Sequence, residues 1–401
     1  MSFLDSLRLD ALLSFRPGSD PIALTPLNVI IGPNGSGKSN LIEAIELLHA
    51  TPTAFAAAIR DGGGAAEWLW KGEPGGSKKE ATIEAVVQGA NGKLPGRAIP
   101  DLRYHLEFRA IGARTEVTDE AIERTKPKAG QQDVFFYYRF QGGRPAINVR
   151  QPKGNGWTER HLERQSLTPD ESVLSQRKDP DLYPELTWLG QQFARIQTFR
   201  EWSFGRYGAL RQPQPADLPT DMLLPDSRNL ALVLNNLEHS DAGPELNRAL
   251  STFLPRFKRI STRVEGSTVQ FNLHEDGLRA PVPATRLSDG TIRFIALLAL
   301  LLSPSPPPLI CIEEPELGLH PDALKLLADL MLEASTRTQL IVSTHSDALV
   351  SAFTEEADSV LVCEHLGGTV FRRLESAKLR FWMDKYRLGE IWRIGELGGN
   401  L

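Results

Sequence analysis

Apolar and polar positions change rhythm several times along the chain. Residues 3–31 read as two strands around the turn Pro17-Gly18-Ser19-Asp20-Pro21, the second ending in Val29-Ile30-Ile31. Helical spacing follows from 41 to about 49. Residues 51–80 carry the loop markers Asp61-Gly62-Gly63-Gly64 and Pro74-Gly75-Gly76-Ser77 around a Trp68-Leu69-Trp70 cluster. From about 81 to 150 the period becomes two: Tyr104, Leu106 and Phe108 alternate with Arg103, His105, Glu107 and Arg109. Similar runs at 81–88, 133–140 and 145–150 predict an antiparallel meander. Residues 165–250 are helical in character, with Thr168-Pro169-Asp170-Glu171 as a helix start and a helix over 229–237. Strands near 258–264 and 268–274 are joined by Glu265-Gly266-Ser267. The last third alternates: strand 309–312, helix 322–334 behind Pro321, strand 339–343, a short helix, strand 360–363. Such alternation argues for a parallel sheet covered by helices. No repeat with a period of roughly 20–50 residues and no sustained heptad pattern is present.

One stretch organises the rest. The apolar strand at 29–31 runs into Gly32-Pro33-Asn34-Gly35-Ser36-Gly37-Lys38-Ser39, followed by Asn40 and a helix. This is the pattern G-x-x-x-x-G-K-[ST] between a strand and a helix, where it cradles phosphates. Glycines let successive backbone N–H groups turn inward, and the helix N-terminus adds partial positive charge. Lys38 would reach the β- and γ-phosphates and Ser39 would ligate Mg²⁺.

Four later segments belong beside it. Pro308-Leu309-Ile310-Cys311-Ile312-Glu313-Glu314-Pro315-Glu316 is a hydrophobic strand delivering acids at its end. Phosphoryl transfer needs one carboxylate near the metal, here Glu313, and one near the attacking water, here Glu314. Leu287-Ser288-Asp289-Gly290-Thr291 opens a very apolar helix, as an anion site or a plain N-cap. Ser343-Thr344-His345-Ser346 ends a strand and places a histidine where it can hydrogen-bond a γ-phosphate. Leu317-Gly318-Leu319-His320-Pro321 joins the acidic strand to the next helix.

Composition adds bounds. The 401 residues are 41% hydrophobic and 24% charged, as in ordinary soluble globular proteins, and the formal net charge of −5 advertises no nucleic acid. DNA contact would need a local patch. Arg195, Arg200, Arg206 and Arg211, interleaved with Phe193, Phe199, Trp202, Phe204 and Tyr207, form one candidate. The reading favoured here is that those aromatics pack a core. Cys311 and Cys363 lie in apolar runs without metal spacing, so a reducing cytosol is expected. The longest apolar run, 294–302, is too short to cross a bilayer, and no secretion signal is visible. A cytoplasmic protein without a membrane partner is expected.

The order of these motifs resembles the RecF/SMC-like branch of ABC-type ATPases, and most closely bacterial predicted ATPases of the AAA group related to the ATPase half of OLD-family proteins. The resemblance covers 1–50 and 280–401, and more loosely 199–206 and 226–234. It implies an α/β fold: an ABC-type P-loop head, a mixed sheet covered by helices, with an α+β insertion and no long coiled coil. The expected divisions are 1–60 and 256–401 for the head and 61–255 for the insertion. By the resemblance, Gly32 to Ser39 bind the triphosphate of ATP with Asn40 beside them. Glu313 holds Mg²⁺ directly or through water, Glu314 is the general base and His345 the switch residue. Ser288 and Gly290 match the signature motif that contacts ATP held by a second copy, which implies a head-to-tail homodimer on ATP binding. His320 stands where the D-loop usually carries aspartate, and Glu313 where aspartate is commoner. Gln191, Gln192 and Gln197 are candidates for the Q-loop glutamine. The stretch after His345 is too short for the Toprim domain of OLD nucleases, so a nuclease is expected to act in trans as an effector. The implied role is a conformational switch in DNA repair or anti-phage defence. The alternative is a nucleotide-dependent scaffold with little turnover.

Overall fold

The computed structural model describes residues 2–72, 80–90, 98–127, 130, 133–151, 156–200, 202, 205 and 207–399. Strand β1 (Leu4–Asp10) is met by a short β2 (Ile22–Ala23), and β3 (Leu27–Ile31) then feeds the glycine loop and α1 (Lys38–Ala50). Three strands therefore replace the expected two. The chain pairs briefly with β1 and then turns at Thr25, whose N–H donates to Asn28 Oδ1 at 3.0 Å, to enter a different sheet. The glycine- and alanine-rich stretch forms α2 (Phe55–Asp61) and α3 (Ala65–Trp68), which bury Phe55, Ile59 and Trp68. The first turn of α2 is held from far away, by the Glu171 carboxylate accepting from Phe55 N at 3.0 Å.

The meander is present and longer than expected. Strands β4 (Glu80–Val87), β5 (Leu102–Ile111), β6 (Arg114–Arg124), β7 (Phe136–Gln141), β8 (Arg144–Arg150) and β9 (Trp157–His161) extend β1 and β2 into an eight-stranded sheet, order β2-β1-β4-β5-β6-β7-β8-β9. The period-two pattern hid β6 because Glu120 occupies a buried position in it, accepting from Tyr104 Oη at 2.9 Å and Val173 N at 2.9 Å. Residues 168–171 form a turn rather than a helix start. The helix α4 (Val173–Gln176) begins behind Ser172, whose Oγ accepts from Leu174 N at 3.0 Å.

Next come α5 (Pro184–Ala194), β10 (Gln197–Phe199), β11 (Gln214–Pro215), α6 (Leu230–Glu238) and α7 (Gly243–Phe253). The predicted hairpin is β12 (Phe257–Glu265) and β13 (Thr268–Glu275), turning at Gly266 with φ 58°; β14 (Val282–Pro283) pairs with β13. Helix α8 (Asp289–Leu301) leads to β15 (Leu309–Glu313), α9 (Asp322–Ser335), β16 (Gln339–Ser343), α10 (Asp347–Ala352), β17 (Val360–His365), β18 (Thr369–Arg373), α11 (Ser376–Met383) and α12 (Leu388–Arg393).

The central sheet has the order β10-β15-β16-β3-β17-β18, parallel except for β18. Both its faces are buried, which is why its strands read as continuous apolar runs. Val29 and Ile31 face one core with α6, α8 and α9, while Ile30 faces the other with α1 and the meander. Gln339 ties the two large sheets together. Its side chain accepts from Phe3 N (3.1 Å) and Leu4 N (2.8 Å), and donates to Leu4 O (2.8 Å) and Thr25 O (3.0 Å). Among the described residues no helix exceeds the 14 of α9, so the mixed α/β head without a long coiled coil is the fold observed.

Candidate nucleotide site

Parallel strands bring their C-terminal ends to one edge, and ligands of open α/β sheets bind there. Between β3 and α1 the loop passes through Gly32 (φ 151°), Gly35 (φ 76°) and Gly37 (φ 109°). A Cβ on Gly32 would lie 2.2 Å from Cys363 O, and one on Gly37 would lie 2.0 Å from Thr369 Oγ1. Only glycine passes either point. The β17–β18 hairpin braces the loop from below: Thr369 Oγ1 donates to Ser36 O at 2.7 Å and shares a 2.6 Å bond with Ser14 Oγ. Asn40 takes part in this brace, donating from Nδ2 to Ser14 Oγ at 2.7 Å. Asn34 and Gly35 are exposed at the loop tip beside half-buried Pro33, and Ser39 is exposed at the start of α1.

Lys38 is buried, and its Nζ donates to Gly32 O at 2.8 Å and Pro33 O at 2.9 Å. Burial lowers its pKa, opposed by the charges of Cys363, Glu314 and Glu313. Glu313 ends β15 opposite Ser343 of β16. Its Oε2 accepts from Arg200 Nε at 3.1 Å, and its buried Oε1 has no hydrogen-bond partner. Glu314 sits in the left-handed region, φ 45°. Three bonds to its main chain keep it there: its N–H donates to Ser343 O (2.9 Å), and its carbonyl accepts from Arg293 Nη2 (2.6 Å) and Leu317 N (3.2 Å). A non-glycine residue in this conformation is strained and is held by its surroundings. Its Oε1 lies 3.6 Å from His345 Nε2. The imidazole pKa is lowered by burial and by Lys38, against the pull of Glu314 and Glu316, which favours the neutral ring.

The sequence singled out Lys38, Glu313, Glu314 and His345; the structure adds the groups that position them. Glu316 Oε1 accepts from Thr344 Oγ1 (2.6 Å) and His345 N (3.0 Å), so the third acid of the EEPE run fixes the histidine segment. Arg293 reaches Glu314 from α8 and lies 5.5 Å over the Trp202 ring. Its only sequence signal is a charge inside an apolar helix. Ser288 caps α8 by accepting from Thr291 N at 3.1 Å, and Asp289 pairs with Arg211. Gly290 packs so closely on the loop before α9 that a Cβ would lie 2.4 Å from Gly318 O. Ser288 is exposed.

None of the three glutamines reaches this edge. Gln191 and Gln192 lie in α5, and Gln197 opens β10 buried, donating to Leu223 O at 3.0 Å. The residue at the far end of β10 is Arg200. Part of the arginine–aromatic stretch is core, as favoured for its aromatics: Phe193 and Phe199 are buried, while exposed Arg195 donates to Pro306 O and buried Arg211 to Leu287 O. Tyr207 is exposed, while Phe204 and Arg206 lie outside the described residues.

The residues fit a magnesium nucleotide. Gly32 and Gly37 admit no Cβ, Ser36 Oγ is buried without a partner, and a lysine and a half-partnered carboxylate converge on the same edge. A family model described as "AAA domain, putative AbiEii toxin, Type IV TA system" matches residues 27–93 and 150–351, more than half of the chain. The chain belongs to this AAA family. Over 72 residues the chain is 39% identical to the Old nuclease of Escherichia phage P2, a match spanning 18% of the chain and 12% of that protein. Its fold is that of Smc heads. It superposes on an Smc head bound to the C-winged helix domain of ScpA with TM-score 0.60, 15% identity and coverage of 94% of this chain and 99% of that one. A second Smc head, with an extended coiled coil and bound to the C-terminal domain of ScpA, from Pyrococcus furiosus, gives TM-score 0.56, 13% identity and coverage of 96% and 99%. The family is therefore AAA and the fold that of Smc heads, with a short segment similar to the Old nuclease.

Proposed function

We propose that the chain binds ATP with Mg²⁺ and hydrolyses it, and that two copies close head to tail on the nucleotide as a switch. The observation that carries this reading is the convergence of Lys38, Glu313, Glu314 and His345 on one edge of the sheet. Residues Gly32 to Ser39 hold the triphosphate, with Lys38 leaving its loop carbonyls for phosphate oxygens. Ser39 and Glu313 hold the metal, which neutralises charge on the transferring group when bound. Glu314, fixed through its own backbone, accepts the proton of the attacking water. His345 stays neutral and hydrogen-bonds the terminal phosphate. The exposed Ser288 and the half-buried Gly290 meet the nucleotide of the second copy. The 72-residue similarity to a nuclease supports work alongside a nuclease, and we place that work on DNA, in repair or phage defence. Among the described residues no helix is long and apolar enough to cross a membrane.

Sedimentation of Glu314→Gln tests the switch. With Mg²⁺ and ATP it is expected to move from monomer to dimer, and Ser288→Arg, placed on the same background, is expected to stay monomeric. A Glu314→Gln protein that binds ATP yet stays monomeric would refute head-to-tail closure.

A further inference from the structure

The end of β10 holds a cation where a metal would compete with it. Phe199 pairs with Ile312 in parallel register, so the next residues, Arg200 and Glu313, leave adjacent strands side by side. Arg200 is three-quarters buried, and each guanidinium nitrogen meets a different carboxylate. Nε donates to Glu313 Oε2 at 3.1 Å, Nη1 to Glu46 Oε2 at 3.1 Å and Nη2 to Glu43 Oε1 at 2.9 Å. Both glutamates belong to α1, the helix that starts at Lys38 and Ser39. Glu46 is itself fixed, its Oε1 accepting from Thr198 Oγ1 at 2.7 Å. The other oxygen of Glu313 is buried and unpartnered. Glu313 is thus half neutralised by the protein's own cation, with one oxygen left over.

We propose that Arg200 is a positioning residue that competes with the metal for Glu313 and so sets the Mg²⁺ concentration at which the nucleotide site loads. This rests on the magnesium–nucleotide reading above. Without metal, Arg200 keeps Glu313 from standing as a buried uncompensated carboxylate, which is costly. When the metal arrives, two cations would share one carboxylate at short range, where repulsion is strong in a half-buried site. Glu43 and Glu46 give Arg200 a second place to rest, so it yields Glu313 without leaving the site. The helix carrying Lys38 and Ser39 also carries those two acids, so the arginine's position reports metal occupancy to the phosphate loop.

The mechanism predicts opposite signs for two neighbouring changes. Arg200→Gln removes the competitor and is expected to tighten metal binding about tenfold, the scale of changes around metal ligands. Arg200→Lys keeps the charge and is expected to stay near the parent protein. Glu46→Gln loosens the arginine's second resting place, throws it onto Glu313 and is expected to weaken metal binding. The assay is Mn²⁺ titration of the full chain with saturating ADP, free Mn²⁺ being read by electron paramagnetic resonance. A fluorescent ADP in EDTA checks each variant, and unchanged metal-free affinity is expected in all three. Unchanged or weaker Mn²⁺ binding in Arg200→Gln would overturn the proposal, as would tighter binding in Glu46→Gln. If the parent protein binds ADP in neither condition, the nucleotide reading itself fails. If it binds ADP but not Mn²⁺, Glu313 is no metal ligand and the competition falls with it.

Discussion

Replacing Glu314 with glycine should leave the protein more stable than replacing it with alanine, against the usual order. Both substitutions remove the carboxylate and its 3.6 Å approach to His345. Both keep the backbone bonds to Ser343 O and from Arg293, since those involve only main-chain atoms of residue 314. The difference therefore isolates the left-handed backbone at φ 45°. That conformation costs an L-residue about 1–2 kcal/mol and glycine almost nothing. Glycine's extra freedom in the unfolded chain takes back about 0.5–1 kcal/mol. A net advantage of about 0.7 kcal/mol for glycine remains. Asp329, exposed in the middle of α9, is the control, where alanine should win by about 1 kcal/mol. With unfolding entropy near 2.1 cal/mol/K per residue over 401 residues, each kcal/mol moves Tm by about 1 °C. Scanning calorimetry of the four variants should thus show opposite orders at the two positions. Alanine matching or exceeding glycine at 314 would refute the claim that the fold holds Glu314 under strain.

Three further expectations follow from the same geometry. Gly32→Ala, with a Cβ driven into Cys363 O, should cost about 2–5 kcal/mol in urea unfolding and abolish binding of a fluorescent ATP. Gln339→Leu strips partners from Phe3 N, Leu4 N, Leu4 O and Thr25 O, so a loss of about 3 kcal/mol or more is expected, with faster amide exchange at Phe3 and Leu4. Burial pushes Glu120 up to about 7, against hydrogen bonds from Ser172, Val173 and Tyr104. The folded state then holds a proton the unfolded chain has lost, so this residue's contribution to stability falls as pH rises from about 4.5 to 7. Glu120→Gln should flatten that part of the stability–pH curve, and an unchanged slope would show that Glu120 does not titrate there.

The fold was most legible where one physical constraint wrote a continuous signal. The strand stretches at 29–31, 309–312, 340–342 and 360–363 are covered on both faces, so no polar residue interrupts them. The phosphate loop was readable because its φ angles admit only glycine at Gly32 and Gly37. Elements held by distant partners left no local mark. Strand β6 carries a buried glutamate whose partners come from β5 and the turn before α4. Helix α2 is capped by Glu171, more than a hundred residues on. Arg200 was visible as an arginine among aromatics, a pattern that suggests a nucleic-acid surface as readily as an ion-pair hub. Its three acids are brought to it only by the folding of β10 against β15 and α1.

The most direct test is phosphate release from Mg²⁺–ATP by the purified chain, with Glu314→Gln as the blank and linear duplex DNA added to half the samples. Turnover is expected to vanish in Glu314→Gln and in magnesium-free buffer, and a rise with DNA would place the work on DNA itself. Release no faster than the blank, in a protein that still binds ATP, would contradict hydrolysis at this site and leave a nucleotide-held scaffold.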